Sequence, residues 1–144
     1  WTFRVDKPGS YDGACSEYCG GPHAWMRLGL VAQPAADFQA WAQAQKAGTA
    51  PASTPGPGLR TFTENACSQC HAIRGTTATG AVAPDLTHVA SREMLAGGAL
   101  RNTLADMRRW LHDPQAVKPG SLMPNMHLSD DEVNALAQYL EGLK

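Results

Sequence analysis

The pentapeptide Cys67-Ser-Gln-Cys70-His71 constrains this chain of 144 residues more than any other segment does. Two thiols at this spacing can form thioether bonds to both vinyl groups of one haem, and the adjacent imidazole then lies beneath the iron as its proximal ligand. A redox dithiol would normally follow a strand in a βαβ unit, and a zinc site would need a second pair of ligands, but no cysteine follows Cys70. The motif therefore favours covalent haem over these two alternatives.

A haem that carries electrons needs a sixth iron ligand from the downstream chain. Met107 falls on the apolar stripe of a predicted helix, where a methionine more often fills the core. Met123 precedes Pro124 in a loop stiffened by Pro119, so the backbone can present its thioether at a fixed place. We predict Met123 as the distal ligand, with Met126 as its competitor in the same loop. The remaining downstream candidates are Met94, His88, His112 and His127.

The other two cysteines, Cys15 and Cys19, form a second close pair about fifty residues earlier. A disulfide framework normally spreads its cysteines to close long loops. Two pairs at short spacing, each with a nearby histidine, indicate instead two separate sites for a metal or cofactor.

A linker separates the two sites. Residues 48–58 contain three prolines and three glycines without a charged or large apolar side chain, and such a composition cannot bury a core. We therefore predict one unit over residues 1–47 and another over 59–144.

The fold class expected from the periodicity is mainly α, with a short two-stranded β remnant at the start. Strands are predicted over residues 1–5 and 26–31, followed by an amphipathic helix over 35–46. In the second unit, helices are predicted over 59–67, from an N-cap at Asn102 to Asp113, and after Ser129, which forms a capping box with Glu132.

The charge balance argues against nucleic-acid binding, and the hydropathy argues against a membrane-spanning segment. Lys and Arg number 12 against 13 Asp and Glu, with no basic cluster that could bind a phosphate backbone. No apolar run approaches the roughly 18 residues needed to span a bilayer. The chain opens on Trp1-Thr-Phe3 without an initiating methionine or a leader pattern, so we expect it to be part of a longer protein.

Residues 59–144 resemble a class I cytochrome c domain in the haem motif, the turn at Ala83-Pro84-Asp85-Leu86, the Met-Pro loop and the final helix with Tyr139. The resemblance implies that the first and last helices cross near Tyr139. It also implies that the carbonyl of Pro84 accepts a hydrogen bond from His71, which sets the imidazole tautomer. Trp110 matches a position that packs against the haem, a plain core role being its alternative.

Residues 9–26 resemble the copper-binding loop of cytochrome c oxidase subunit II, whose copper domain is cupredoxin-like. The resemblance implies that Cys15 and Cys19 bridge two copper ions, with His23, Met26 and the carbonyl of Glu17 as further ligands. Thiolate, thioether and imidazole are ligands that copper accepts well. The family's second histidine lies upstream of the loop, and no histidine precedes His23, so the copper set is incomplete in this chain. A zinc site and a Cys15–Cys19 disulfide are the alternatives.

Together the two halves resemble the end of a subunit II fused to a cytochrome c. This implies electron transfer from an external donor, such as a cytochrome c or a quinol-oxidising complex, through haem c to the dinuclear copper and on to subunit I of an oxygen-reducing, proton-translocating oxidase. It also implies a place on the outer, periplasmic face of the bacterial cytoplasmic membrane, anchored by upstream helices. The alternatives are a free-standing periplasmic electron carrier and a haem-based binder of small ligands.

Overall fold

A computed structural model describes residues 2–47 and 56–144 of the chain. The described residues are mainly helical, as the sequence predicts, and form two small antiparallel sheets, of which the sequence predicts only the N-terminal one. The predicted linker falls largely on residues outside the described ranges, although its last two residues, Pro57 and Gly58, already belong to a helix. Among the described residues no helix combines the length and apolar character needed to cross a membrane.

The N-terminal segment, over residues 2–47, contains one hairpin, a short 3₁₀ helix (Gly21–Trp25) in the loop of that hairpin, and one α-helix. Strand β1 (Gly9–Ala14) pairs antiparallel with β2 (Arg27–Ala32), and helix α1 (Ala35–Ala47) follows. The strand predicted over residues 1–5 is wrong, since residues 2–5 form no strand. The hydrogen bonds of the β1–β2 hairpin instead continue up to the cysteine loop, where the Cys15 amide donates to the Met26 carbonyl at 3.1 Å. Pairing the residues that flank this loop fixes the register.

Phe38 and Trp41 share one face of helix α1, and that face meets solvent within the described residues. Phe38 and Trp41 stack with ring centroids 5.6 Å apart. Their side chains are nevertheless 53% and 50% exposed. The pair therefore contributes little to burial of a core in this segment.

The second unit is a helical domain that contains the main core. Its elements are α2 (Pro57–Glu64), α3 (Cys67–Cys70), β3 (Met94–Leu95), β4 (Leu100–Arg101), α4 (Leu104–His112), α5 (Pro114–Val117) and α6 (Asp130–Glu141). The helix predicted over 59–67 is present but ends earlier, at Glu64, because Ala66 has a left-handed φ of 58° and interrupts it. That break redirects the chain into the haem motif.

Helices α2 and α6 cross at a glycine, which confirms the expected crossing near Tyr139. A Cβ atom at Gly58 would lie 2.3 Å from Cβ of Tyr139 and 2.4 Å from the carbonyl oxygen of Ala135. Contacts this short are not possible, so the crossing depends on the absence of a side chain. Beside it, Phe62 and Leu136 are 2% and 1% exposed and anchor the core.

Caps define the other helix ends. Thr103, not the predicted Asn102, caps α4, since its hydroxyl accepts from the Asp106 amide. The amide side chain of Asn102 donates to the Val89 and Arg92 carbonyls, both at 2.7 Å, and thereby fastens the preceding loop.

The capping box of α6 is confirmed. The Ser129 hydroxyl accepts from the Glu132 amide, while the Glu132 carboxylate accepts from the Ser129 amide at 2.8 Å. Such a cap is worth about 0.5–2 kcal/mol.

Candidate functional site

The haem motif occupies one helical turn. The His71 amide donates to the Cys67 carbonyl at 2.9 Å and closes the turn, so both cysteines and the histidine project from adjacent positions. Burial raises the pKa of the Cys67 thiol, whereas Cys70 is exposed. The motif therefore presents one sheltered and one accessible thiol.

The imidazole of His71 is oriented by the backbone of Pro84. Its Nδ1 lies 2.8 Å from the Pro84 carbonyl oxygen. A carbonyl can only accept, so Nδ1 carries the proton and Nε2 keeps its lone pair. This is the arrangement that an iron-binding histidine needs, and it agrees with what the resemblance implies for Pro84.

The loop that follows the haem motif folds back and packs against the motif. The Ala83 amide donates to the Cys70 carbonyl at 2.9 Å, and the Leu86 amide to the Ala72 carbonyl at 2.8 Å. A Cβ at Gly80 would lie 2.5 Å from the carbonyl carbon of Cys70. Only glycine therefore allows the returning loop to lie flat on the motif.

Polar contacts fix the far end of this loop. The buried Thr87 hydroxyl accepts from the Arg74 amide at 2.9 Å and donates to the Asp85 carboxylate, which also accepts from the Thr87 amide. Partial burial acts to raise the pKa of Asp85, but hydrogen bonds from Thr87 and the charges of Arg74 and Arg92 outweigh it and lower that pKa below its usual value. Asp85 is thus held as a carboxylate beside Pro84.

The predicted distal side lies on the 118–129 loop. Met123 and Met126 are both partly buried against the core, as is Trp110. Gln115 fastens the loop, because its Nε2 donates to the carbonyls of Ser121 and Met123, both at 2.8 Å. Met123 thus has a backbone anchor at its own residue, and its assignment over Met126 stays a prediction.

The other methionine candidates are less suitable. Met107 is 4% exposed and fills the core, as its helical position predicts, while Met94 is 41% exposed at the start of β3.

The second cysteine pair brings its predicted ligands together. Sγ of Cys15 lies 3.5 Å from Sγ of Cys19 and donates to the Glu17 carbonyl at 3.1 Å. Sγ of Cys19 lies 3.7 Å from Nδ1 of His23 and 3.8 Å from Sδ of Met26. Three sulfur atoms and one imidazole nitrogen, which are soft and intermediate donors that suit copper, therefore converge on one loop together with one carbonyl oxygen.

The two thiols of this loop are free and interact. The ligand atoms of Cys15, Cys19 and His23 all lie within 4.8 Å of one another. The hydrogen bond with Cys15 raises the pKa of the Cys19 thiol. The Tyr18 ring covers one side of His23, with ring centroids 5.7 Å apart.

Comparison with known proteins identifies the helical unit. Residues 56–144 match the family described as cytochrome c. The chain belongs to the cytochrome c family. Membership supports covalent haem c at the Cys67–His71 motif of this cytochrome c domain.

Relatives extend the similarity to the N-terminal segment that contains Cys15 and Cys19. Cytochrome c oxidase subunit 2 of Alkalihalophilus pseudofirmus is 38% identical over 99% of this chain, and that of Bacillus subtilis is 35% identical over 92%. The protein of the same name from Bacillus sp. strain PS3 is 33% identical over 97%. The chain spans 39–42% of the length of these relatives.

Sequence reasoning missed three supporting residues, two beside the haem motif and one, Gln115, that holds the Met123 loop. Gly80, Thr87 and Gln115 carry no chemistry that would single them out, and each acts through a contact with a distant part of the cytochrome c domain. The only sequence signal was proximity of Thr87 to the predicted Pro84 turn.

Proposed function

We propose that the chain carries electrons, one at a time, from an external donor to the dinuclear copper centre of a bacterial terminal cytochrome c oxidase. Its support is the presence of two organised donor sets in one chain, together with relatives named cytochrome c oxidase subunit 2. On this proposal the chain is part of subunit II and has subunit I as a partner.

In the cytochrome c domain, Cys67 and Cys70 would each add S–H across one haem vinyl group, which needs no oxidant. His71 would bind iron through Nε2 while Pro84 holds its Nδ1 proton, and Met123 would supply the sixth ligand. Trp110 would border the haem. When bound, haem c supplies a one-electron Fe(III)/Fe(II) couple, and a thioether ligand favours a high potential.

In the copper-loop segment, residues 9–26, the thiolates of Cys15 and Cys19 would hold the copper. His23 and Met26 would complete the shell together with the carbonyl of Glu17. The paired bonds of the β1–β2 hairpin hold both ends of the loop, so the ligands need little rearrangement on binding.

The proposed partners imply where in the cell the protein is located. The donor would be a cytochrome c or a quinol-oxidising complex, and the site would face the outer side of the bacterial cytoplasmic membrane. Fusion of the cytochrome c domain to the copper-loop segment raises the local concentration of one redox centre near the other.

Haem attachment is tested on the protein expressed with a haem-ligation system. We expect haem to stay with the polypeptide after denaturation in the wild type and in Ser68→Ala, but not in the double variant Cys67→Ala, Cys70→Ala. Retention of haem by that double variant would contradict the assignment.

Copper binding is tested on the full-length subunit by elemental analysis and electron paramagnetic resonance. We expect two copper ions per chain with one unpaired electron shared between them, lost in Cys19→Ser and retained in the loop control Ser16→Ala. Zinc in place of copper, or a Cys15–Cys19 disulfide that copper does not displace, would overturn the copper proposal.

A further inference from the structure

Side chains from the cytochrome c domain cap the C-terminal turn of α1. Nη1 of Arg74 donates to the carbonyls of Gln45 and Lys46 at 3.0 and 3.2 Å. Nε2 of His88 lies 3.2 Å from the same Gln45 carbonyl. Carbonyls in a last helical turn lack an intrahelical partner, and a guanidinium there also faces the negative end of the helix dipole.

The two capping residues belong to the scaffold that orients the proximal imidazole. Arg74 follows His71 by three residues, and its amide donates to Thr87, the neighbour of His88. The same Thr87 holds the carboxylate next to Pro84. Helix α1 therefore docks on the Pro84 side of the haem motif.

A second contact and a cleft lie beside this capped turn. The Cβ position of Gly98 would approach Cβ of Arg27 in β2 to 2.6 Å, so the hairpin touches the loop between β3 and β4. An open cleft of about 1470 Å³ lies between the units. Its walls include Ala14 and Trp25, neighbours of Cys15 and Met26, on one side and Asp85 and Arg92 on the other.

We infer that Arg74 and His88 are positioning residues that dock helix α1, and with it the N-terminal unit that carries the copper loop, on the Pro84 side of the haem motif. The inference rests on the proposed function, since it concerns the separation of the two proposed redox centres. The rate of electron tunnelling falls steeply with the distance between two redox centres. A fixed docking geometry therefore gives a single transfer rate rather than a spread of rates.

Docking is measured first, by hydrogen exchange of the haem-loaded protein. In Arg74→Gln and in His88→Gln we expect the amides of the last turn of α1 to exchange about five-fold faster, because an uncapped helix end frays more readily. The matched control is Arg60→Gln, which removes an exposed cation on α2. In this control the amides of the last turn of α1 should exchange at the wild-type rate. Unchanged exchange in both test variants would overturn the inference.

Positioning is measured next, by flash-initiated electron transfer between haem and copper in the full-length subunit. Arg74→Lys keeps the charge near His71, but its side chain is one bond shorter, so Nζ stops short of the place from which Nη1 donates to both carbonyls. We expect its rate to fall about ten-fold at an unchanged haem potential, as small displacements can cost this much. A wild-type rate in a variant that has lost docking would refute the positioning role.

The two measurements separate this inference from the proposed function. A wild-type subunit without copper-dependent oxidation of the haem would refute the proposed function and, with it, the positioning role. Hydrogen exchange would still decide whether Arg74 and His88 dock the two units, because that readout needs no copper.

Discussion

Nδ1 of His71 and the carbonyl oxygen of Pro84, 13 residues apart in sequence, lie 2.8 Å from each other. This one hydrogen bond selects the tautomer, fixes the plane of the ring and leaves Nε2 available for iron. Its length is set by the loop that brings Pro84 back to the motif, so residues that hold this loop affect the histidine without touching it.

Thr87→Val tests the support of that loop. Valine keeps the shape of the buried side chain but leaves the Arg74 amide and the Asp85 carboxylate without the hydroxyl. We expect the free energy of unfolding to fall by about 1–3 kcal/mol, because a hydrogen bond to a backbone amide and one to a charged carboxylate are lost. Urea unfolding of the haem-loaded protein measures it. Thr87→Ser keeps the hydroxyl and should lose less stability than Thr87→Val. If both variants lost the same free energy of unfolding, the hydroxyl would not be the group that stabilises the loop.

Gly58→Ala tests the crossing of α2 and α6. Alanine is the better helix former by about 1 kcal/mol, but its methyl group would overlap Tyr139 and the Ala135 backbone. We expect net destabilisation of about 1–3 kcal/mol from overpacking, seen as a lower denaturation midpoint. The control is Gly56→Ala, where an added Cβ has no atom within 4 Å. A Gly58→Ala midpoint at or above that of the control would contradict the close crossing.

Glu132→Gln tests the pH dependence of the capping box. Hydrogen bonds from the amide and then the hydroxyl of Ser129, together with one from Asn65, lower the pKa of Glu132 below its usual 4.5. The ionised form is therefore favoured by folding, so this stability is present above the unfolded pKa and is lost as the pH falls through the folded pKa.

We expect Glu132→Gln to lose less stability than the wild type between pH 6 and about pH 3, because glutamine still accepts from the Ser129 amide but does not titrate. Urea midpoints across this range measure the slope. Ser129→Ala keeps the amide and loses the hydroxyl, so its slope should lie between the two. If stability fell with the same slope against pH in all three proteins, Glu132 would not contribute to the acid dependence of stability.

Local signals in the sequence predicted part of the fold. The box of Ser129 and Glu132 is an interaction within a few residues, and the structure contains it as predicted. The spacing of Cys67, Cys70 and His71 is just as local, and the haem site that it indicates stays a prediction. Helix α1 was also predicted within one residue of its end.

Contacts between distant residues could not be predicted in the same way. Asn102 has the chemistry of an N-cap, but its amide is used by the Val89 carbonyl and Thr103 caps the helix instead. The apolar alternation of residues 1–5 has the pattern of a strand, yet pairing is decided by which residues flank the closed cysteine loop. In both cases a tertiary partner outweighs the local preference.

Met123→Ala tests the distal ligand. Removing the thioether should lower the haem potential and open the sixth position to carbon monoxide, since methionine ligation favours the reduced iron. Redox titration and carbon monoxide difference spectra measure both effects. Met126→Ala is the matched control in the same loop, equally in contact with the core. We expect it to keep the wild-type spectrum, and carbon monoxide binding by Met126→Ala alone would transfer the ligand role to Met126.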